Sequence, residues 1–597
     1  MRKLLCHIVG SLALIGWSAA TVAGADPTTP AGSSPATASV AIYQPAGAPA
    51  DPKVSAHWNR YHSHAEITEF LQQLAAAHPE RCRLQSLGKS YGGRDMWLLV
   101  ISNFGRGKLE ERPTFWIDGG IHANEIQSVE VVLYTAWYLL ESYGRNPFVT
   151  RLVDERAFFL LPMLSPDSRD AHMQQPNTTH SPRSGQRPVD DDRDGLVNED
   201  GPDDLDGDGN ITQMRVRDPN GRLVPHAKFP DLLVDAPPDE PGQYLSLGQE
   251  GFDNDGDGRV NEDADGFYDP NRDWPWNWQP AYVQSGASKY PLAILENRLV
   301  ADFIMAQPQI AGAQSYHNAG GMILRGPGAK DDRYDAADIA VLDVIGKRGA
   351  EILPGYRYIN IADDLYEVYG GEVDWLYAMQ GVFTFTNELF TGFNFFRKAS
   401  EGFFGSNEDL HTFDRYLLFG GGIVPWREID HPQFGKVEVG GMTKNWVRQP
   451  PSFLLEEECH RNMAFTLYHA DQMPQVEVQS IEVEPLAGGL TQVTAVVVNR
   501  KVIPTHAAAD VRHRITAPDR VTISGPAIEV IAGLKSNERF FREPEPQKRR
   551  PESLEFSSIP GMRAVYGRWI VRGAGPYTVA VVSPKGGRAE RTSEAPK

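Results

Sequence analysis

Apolar residues fall in two rhythms along this chain, and the rhythm changes once. From residue 57 to 473, short continuous apolar runs alternate with stretches in which apolar residues recur every three or four positions. Phe115, Trp116 and Ile117 sit in one such run and predict a buried strand over 113–118. The spacing of Val129, Val132, Leu133, Ala136, Leu139 and Leu140 predicts a helix over 126–143. Ser63 and Glu66 form a capping-box pattern, so a helix is expected to start there with Ile67, Phe70, Leu71 and Leu74 on one face. The same reading predicts strands over 96–101, 157–164, 310–316 and 381–389, and helices over 291–306, 339–353 and 454–469. Alternation of this kind specifies an α/β domain whose mixed, mostly parallel sheet is flanked by helices. After Pro474 the helical rhythm stops. Runs at 476–483, 492–498, 568–571 and 577–582 have strand character, and a small all-β sandwich is assigned to 474–590.

Length and charge refine this picture. A chain of 597 residues exceeds one compact domain, and its hydrophobic content of 41% supports sizeable cores. A net charge of −20 argues against nucleic acid and against an anionic membrane surface. Arg2 and Lys3, the apolar stretch 6–20 and Ala23-Gly24-Ala25 have the order of a secretory leader, assigned to 1–25. Residues 26–55 are rich in Ala, Pro, Ser and Thr without apolar period and are expected to be a disordered linker. The main domain is then 56–473, exported to a periplasmic or extracellular location, with no membrane span after leader removal. Cys82 and Cys459 could pair in such a compartment or remain two buried thiols.

Much of the negative charge lies in an insertion at 185–265. It holds three D-x-D-x-D-G runs: Asp190, Asp192 and Asp194; Asp204, Asp206 and Asp208; and Asp253, Asp255 and Asp257. Alternate carboxylates with a glycine for the turn suit calcium, which takes about six to eight oxygens. The runs lack a glutamate at the twelfth position, so they are not complete EF-hands. A structural calcium role is expected, against the alternative of a solvated acidic loop.

The stretch I-D-G-G-I-H-A-N-E-I places His122 and Glu125 three apart on a strand-to-helix crossover, where both can reach one zinc ion. Alone, such a pair is also what a polar helix start would contain. Further segments follow in a set order: D-P-N-R-D-W at 269–274, S-Y-H ending at His317, L-Y-E-V-Y-G-G-E-V-D-W at 365–375 and T-F-T-N-E-L around Glu388.

In this order the motifs resemble the M14-type zinc carboxypeptidases, carboxypeptidase A-like, over roughly 57–473. The resemblance implies His122, Glu125 and His317 as zinc ligands and Glu388 as the base that activates water. It implies Asn271 and Arg272 as the clamp on a substrate's terminal carboxylate, and Tyr366 as the group that closes over it, with Tyr369 as rival. The segment M-R-V-R resembles the one bearing the family's oxyanion arginine, assigned to Arg215 with Arg217 as alternative. Val373 falls where the family's selecting residue lies. With Val368 and Thr386 nearby, it implies preference for apolar or aromatic C-terminal residues. Asn124 stands where digestive members carry an arginine, and no inhibitory prodomain of the family's type precedes His57. The implied partners are peptide or protein substrates. Two other functions fit less of the pattern: a cell-wall peptide or small acyl-amide hydrolase on the same fold, and a non-catalytic calcium-dependent binding protein.

Overall fold

The computed structural model describes residues 46–190, 195–263, 268–399, 406–446 and 448–593. The leader, most of the linker, and Asp192 and Asp194 therefore lie outside the described residues. Ordered packing starts earlier than the linker boundary implied: Val54 is buried, and the amides of Lys53 and Val54 donate to the Glu141 carboxylate.

The main domain is built on eight strands: β1 (Cys82–Lys89), β2 (Asp95–Ile101), β3 (Thr114–Gly119), β4 (Ala157–Leu161), β5 (Ile310–Asn318), β6 (Met322–Arg325), β7 (Arg357–Asn360) and β8 (Phe383–Leu389). Their order across the sheet is β1-β2-β4-β3-β5-β8-β6-β7. The pairs β3–β4, β3–β5, β5–β8 and β6–β7 are parallel, and the outer pairs β1–β2 and β2–β4, with β6–β8, are antiparallel. The sheet is thus mixed with a parallel centre, as the alternation predicts.

Strand alternation sorts the core into two layers. Phe115 and Ile117 pack on one face with α1 (His64–Ala77), α2 (Ile126–Ser142) and the long helix Ser452–Asp471. Trp116 points to the other face, against Leu295–Met305 and the helix Glu372–Gln380. Side chains as fully buried as these contribute about 1.5–3 kcal/mol each. The capping box forms as predicted: Ser63 Oγ accepts from the Glu66 amide and the Glu66 carboxylate accepts from the Ser63 amide. The helix predicted from 291 begins at Leu295, because Leu292 takes positive φ and the 293 and 294 amides donate to Asp273.

The insertion is more than loops. Its strands Gln213–Arg217, Leu223–Pro225, Leu233–Asp235 and Tyr244–Gln249 join the downstream hairpin Ile423–His431/Gly435–Met442 in a six-stranded sheet. These insertion strands are three to six residues long, too short for periodicity to show them. The C-terminal region forms a five-stranded and a four-stranded antiparallel sheet around a Val-rich core with Trp569 at 0% exposure. Lys585 ties it to the main domain, donating to the carbonyls of Gln380 and Gly381 and to Asp510.

Candidate active site

The site lies at the carboxyl ends of the central parallel strands. β3 stops at Gly119, where a Cβ would stand 2.8 Å from the Ser128 carbonyl oxygen, and Gly120 turns the chain at φ +65°. This close crossover delivers His122 and places Glu125 at the N-terminus of α2. His317 sits near the end of the neighbouring strand β5, and Glu388 is its register partner on β8.

Three donors meet here. His122 Nδ1 is 3.0 Å from Glu125 Oε1 and 3.1 Å from His317 Nδ1, and His317 Nδ1 is 3.0 Å from Glu125 Oε2. All three side chains are 2–3% exposed. Two imidazoles and a carboxylate converging on one point are the donor set of a catalytic zinc site, which keeps a fourth position open. Burial by itself would raise the Glu125 carboxyl, but the imidazoles of His122 and His317 hold it well below the usual carboxylate range. The outward nitrogen His122 Nε2 lies 2.9 Å from Asp269 Oδ1, the partner that orients a metal-bound imidazole. Burial also opposes ionisation of Asp269, yet His122, Arg272 and Arg183 keep its carboxyl well below its ordinary value.

Two arginines flank the cluster. Arg183 spans it, with Nη1 3.2 Å from Glu125 Oε1 and Nε 3.3 Å from Asp269 Oδ2. Arg448 Nη1 donates to Glu125 Oε1 at 3.1 Å and to the Asn318 carbonyl at 2.7 Å. The Glu388 carboxyl is pushed up to about 7, first by burial and then by the charge of Glu125. On the His317 side, Asn271 Nδ2 is 3.5 Å from His317 Nε2, and Arg272 Nη1 donates to the Asn271 carbonyl at 2.7 Å. Asn271 is oriented by the Glu372 amide, which donates to its Oδ1. Tyr366 is 53% exposed, and its amide donates to the Ile361 carbonyl.

A family model described as zinc carboxypeptidase matches residues 67–195 and 248–414. The chain belongs to the zinc carboxypeptidase family. A second model, a domain of unknown function, matches 475–594. Curated relatives include mouse carboxypeptidase D, 39% identical over 111 residues, 19% of this chain and 8% of that protein. Pig carboxypeptidase A1 is 24% identical over 344 residues, 55% of this chain and 62% of that protein. The chain thus spans less than a tenth of carboxypeptidase D. Among solved structures, thrombin activatable fibrinolysis inhibitor matches with a TM-score of 0.43 and 17% identity over 70% of this chain and 78% of that one. A carboxypeptidase A from Helicoverpa armigera matches with a TM-score of 0.38 and 20% identity over 56% and 65%.

Within this carboxypeptidase domain, the arginine at the cluster is not the one expected. Arg215 lies on the insertion strand Gln213–Arg217, its Nε donating to Glu438 at 2.7 Å and its guanidinium 4.0 Å from the ring centres of both Tyr244 and Trp426. Its neighbour Arg217 is exposed and also faces Glu438. Arg183, rather than Arg215, contacts Glu125 and Asp269; it lies in a Ser- and Pro-containing loop, four residues before Arg187, with no pattern that marked it. Arg448 gave no signal either. Asp269, by contrast, is the first residue of D-P-N-R-D-W and was there to be read.

Val373 packs with Met322, Leu324, Ile361 and Val368 in an apolar cluster, and Thr386 is buried. Ser315 Oγ donates to Asp118 Oδ1 at 2.7 Å and lies 3.2 Å from Glu372 Oε2. Burial raises both carboxyls, Asp118 to about 6, and the Asp118 charge raises Glu372 further.

In the insertion, Asp204 and Asp206 group with Glu250, Asp253 groups with Asp255 and Asp257, and Asp255 also approaches Asp200 and Glu262. Asp208 stands outside these groups and accepts from the Asn210 amide. Asp190 belongs to a run whose other two carboxylates lie outside the described residues. Cys82 and Cys459 are both buried free thiols. No helix among the described residues is long and apolar enough to cross a membrane.

Proposed function

We propose that this protein is an exported zinc metallocarboxypeptidase that releases the C-terminal residue of peptides and proteins. The observation that supports this reading is that Asn271 lies 3.5 Å from His317, joined to Arg272, beside the His122–Glu125–His317 cluster, where the pair can serve as the carboxylate clamp. A clamp beside the reacting centre restricts cleavage to the last peptide bond, and an endopeptidase has no use for it.

Zinc held by His122, Glu125 and His317 would polarise the scissile carbonyl and bring the pKa of a water to about 7. Asn271 and Arg272 bind the substrate's terminal carboxylate through charge-assisted hydrogen bonds. Glu388 accepts the proton of the attacking water and passes it to the leaving nitrogen, a task suited to a carboxyl raised to about 7. Arg183 donates to the oxyanion as the carbonyl becomes tetrahedral. Tyr366 closes over the bound terminus. Val373 and its apolar neighbours favour a bulky apolar or aromatic C-terminal side chain. The leader-like residues 1–25 support export, and the acidic groups around Asp204, Asp206 and Glu250 and around Asp253, Asp255 and Asp257 support structural calcium.

The test is product analysis on peptides ending in Phe, Leu, Lys and Glu, with and without zinc chelation. Stepwise loss of Phe or Leu, abolished by chelation and restored by zinc, is the expected result. Internal cleavage, or release that survives chelation, would overturn the reading.

A further inference from the structure

Beyond the cluster, on the Glu125 side, lies a cavity of about 350 Å³, at the small end of the roughly 300–1,000 Å³ typical of ligand pockets. Its walls come from three places: Thr178 and His180 just before the insertion, Ile211 and Gln213 within it, and Met442 and Arg448 downstream of the family-matched region. Arg448 is the link to the reacting centre. One end of its guanidinium holds Glu125 and the Asn318 carbonyl, and Nη2 reaches His180 Nδ1 at 3.3 Å on the cavity wall. Its side chain is 13% exposed, and its Nε is buried without a partner.

Direction follows from the contacts. The terminal carboxylate is held at Asn271 and Arg272, on the His317 side. On the carboxypeptidase reading, a peptide bound there with its last peptide carbonyl at the cluster continues away from Asn271 and Arg272, toward the side of Glu125 that Arg448 holds. Arg183 and Arg448 both donate to Glu125 Oε1 and so flank that exit. The cavity beyond Arg448 is where the preceding side chains arrive.

Charge then selects among them. The chain carries 78 acidic residues, yet no Asp or Glu is among the cavity's described lining residues. Arg448 is a fixed cation in that wall, and burial, with Arg448 and Arg183 behind it, pushes His180 below its usual value, leaving a neutral imidazole beside it. The threonine hydroxyls and glutamine amides around it supply neutral hydrogen-bonding groups.

We propose that this cavity is a subsite for the two residues immediately before the scissile bond, and that Arg448 makes it prefer a substrate with an acidic side chain there. The inference rests on the carboxypeptidase reading and deepens it by naming a substrate class: peptides whose C-terminal residue follows Glu or Asp.

The test uses acylated tripeptides ending in Phe, with Glu, Gln or Lys at either of the two preceding positions. The full-length protein should turn over the Glu peptide with a kcat/KM about tenfold above its Lys counterpart at one of the positions, mainly through KM. Arg448→Gln should bring the ratio to within about twofold, and Arg448→Lys should retain part of it. Because Arg448 also touches Glu125, Gln213→Glu supplies a variant that leaves the cluster's contacts alone; an acid placed on the wall should shift the preference toward Lys. Dissociation constants of the same peptides for metal-stripped protein give the same ordering without turnover. If no peptide is hydrolysed but that ordering holds, the carboxypeptidase reading falls and the subsite stands. Equal binding and turnover for Glu, Gln and Lys at both positions, or a Glu preference unchanged in Arg448→Gln, would overturn the proposal.

Discussion

Two regions of this molecule concentrate carboxylates, and they handle them in opposite ways. At the cleft, Glu125 and Glu388 are carried at the ends of the sheet and Asp269 at the start of the turn 270–272, and imidazoles and guanidiniums from remote segments meet Glu125 and Asp269. In the insertion, Asp204 and Asp253 lie on loops that satisfy themselves: Asp204 accepts from the Gly209 amide, and Asp253 from those of Gly256 and Gly258. The cleft carboxylates sit where an unpaired charge would be costly: Glu125 and Asp269 acquire specific partners, while the Glu388 carboxyl is pushed up to about 7 instead. Asp204 and Asp253 are only partly buried, and their spacing is local. A site whose geometry depends on the whole sheet is therefore set against one written into a few consecutive residues.

Breaking the cleft should produce the largest effects. Glu388→Gln is expected to lower kcat by roughly 10²–10⁴-fold, the range for removing a general base, while metal analysis shows unchanged zinc content. An activity within tenfold of wild type would remove Glu388 from the chemistry. Arg183→Ala should cost about 10²–10³-fold in kcat, as for loss of an oxyanion donor. Arg215→Met, measured beside it, should leave kcat/KM within about threefold while lowering stability by about 1–3 kcal/mol. It removes the stacked cation between Tyr244 and Trp426 and strands Glu438. Equal losses of rate in the two arginine variants would erase the distinction between the regions. Asp269→Asn should weaken zinc affinity by about 10–100-fold, read by competition with a chelator.

The smallest effect expected is in the insertion. Burial raises the Glu250 carboxyl from its ordinary 4.5 to about 6. The folded state therefore binds this proton more tightly than the unfolded chain. The stabilisation is complete below pH 4.5 and is lost as pH rises through about 6. Calcium at Asp204, Asp206 and Glu250 would favour the ionised form instead. Adding calcium to stripped protein should then raise Tm more at pH 7 than at pH 4.5, with little change in kcat. Identical shifts at both pH values would argue against a cation at that group.

The two regions also differ in how legible they were. The Asp runs were plain in the sequence, yet Glu250, Asp200 and Glu262, which face them, were not. Glu262 follows Asp255 by only seven residues, but Glu250 lies tens of residues from Asp204 and Asp206, as Asp200 does from Asp255, and these reach the loops because short strands fold the insertion back on itself. At the cleft, local pattern announced the strand 113–118, the turn with His122 and Glu125, and the strand that ends in Glu388. Those are features of neighbours in sequence: apolar alternation, a glycine pair at a crossover, a helix start.

What the sequence alone determined is the set of elements and the order of their motifs, because periodicity and turn chemistry act over a few residues at a time. Which arginine reaches the cluster was decided only by tertiary structure. Arg183, Arg215 and Arg448 are chemically equal, and each lies in a segment with little pattern of its own. Their roles separate because one strand pairing puts Arg215 against Glu438, while the sheet ends leave Glu125 open to the other two. Charges find partners across space, and the fold sets those distances.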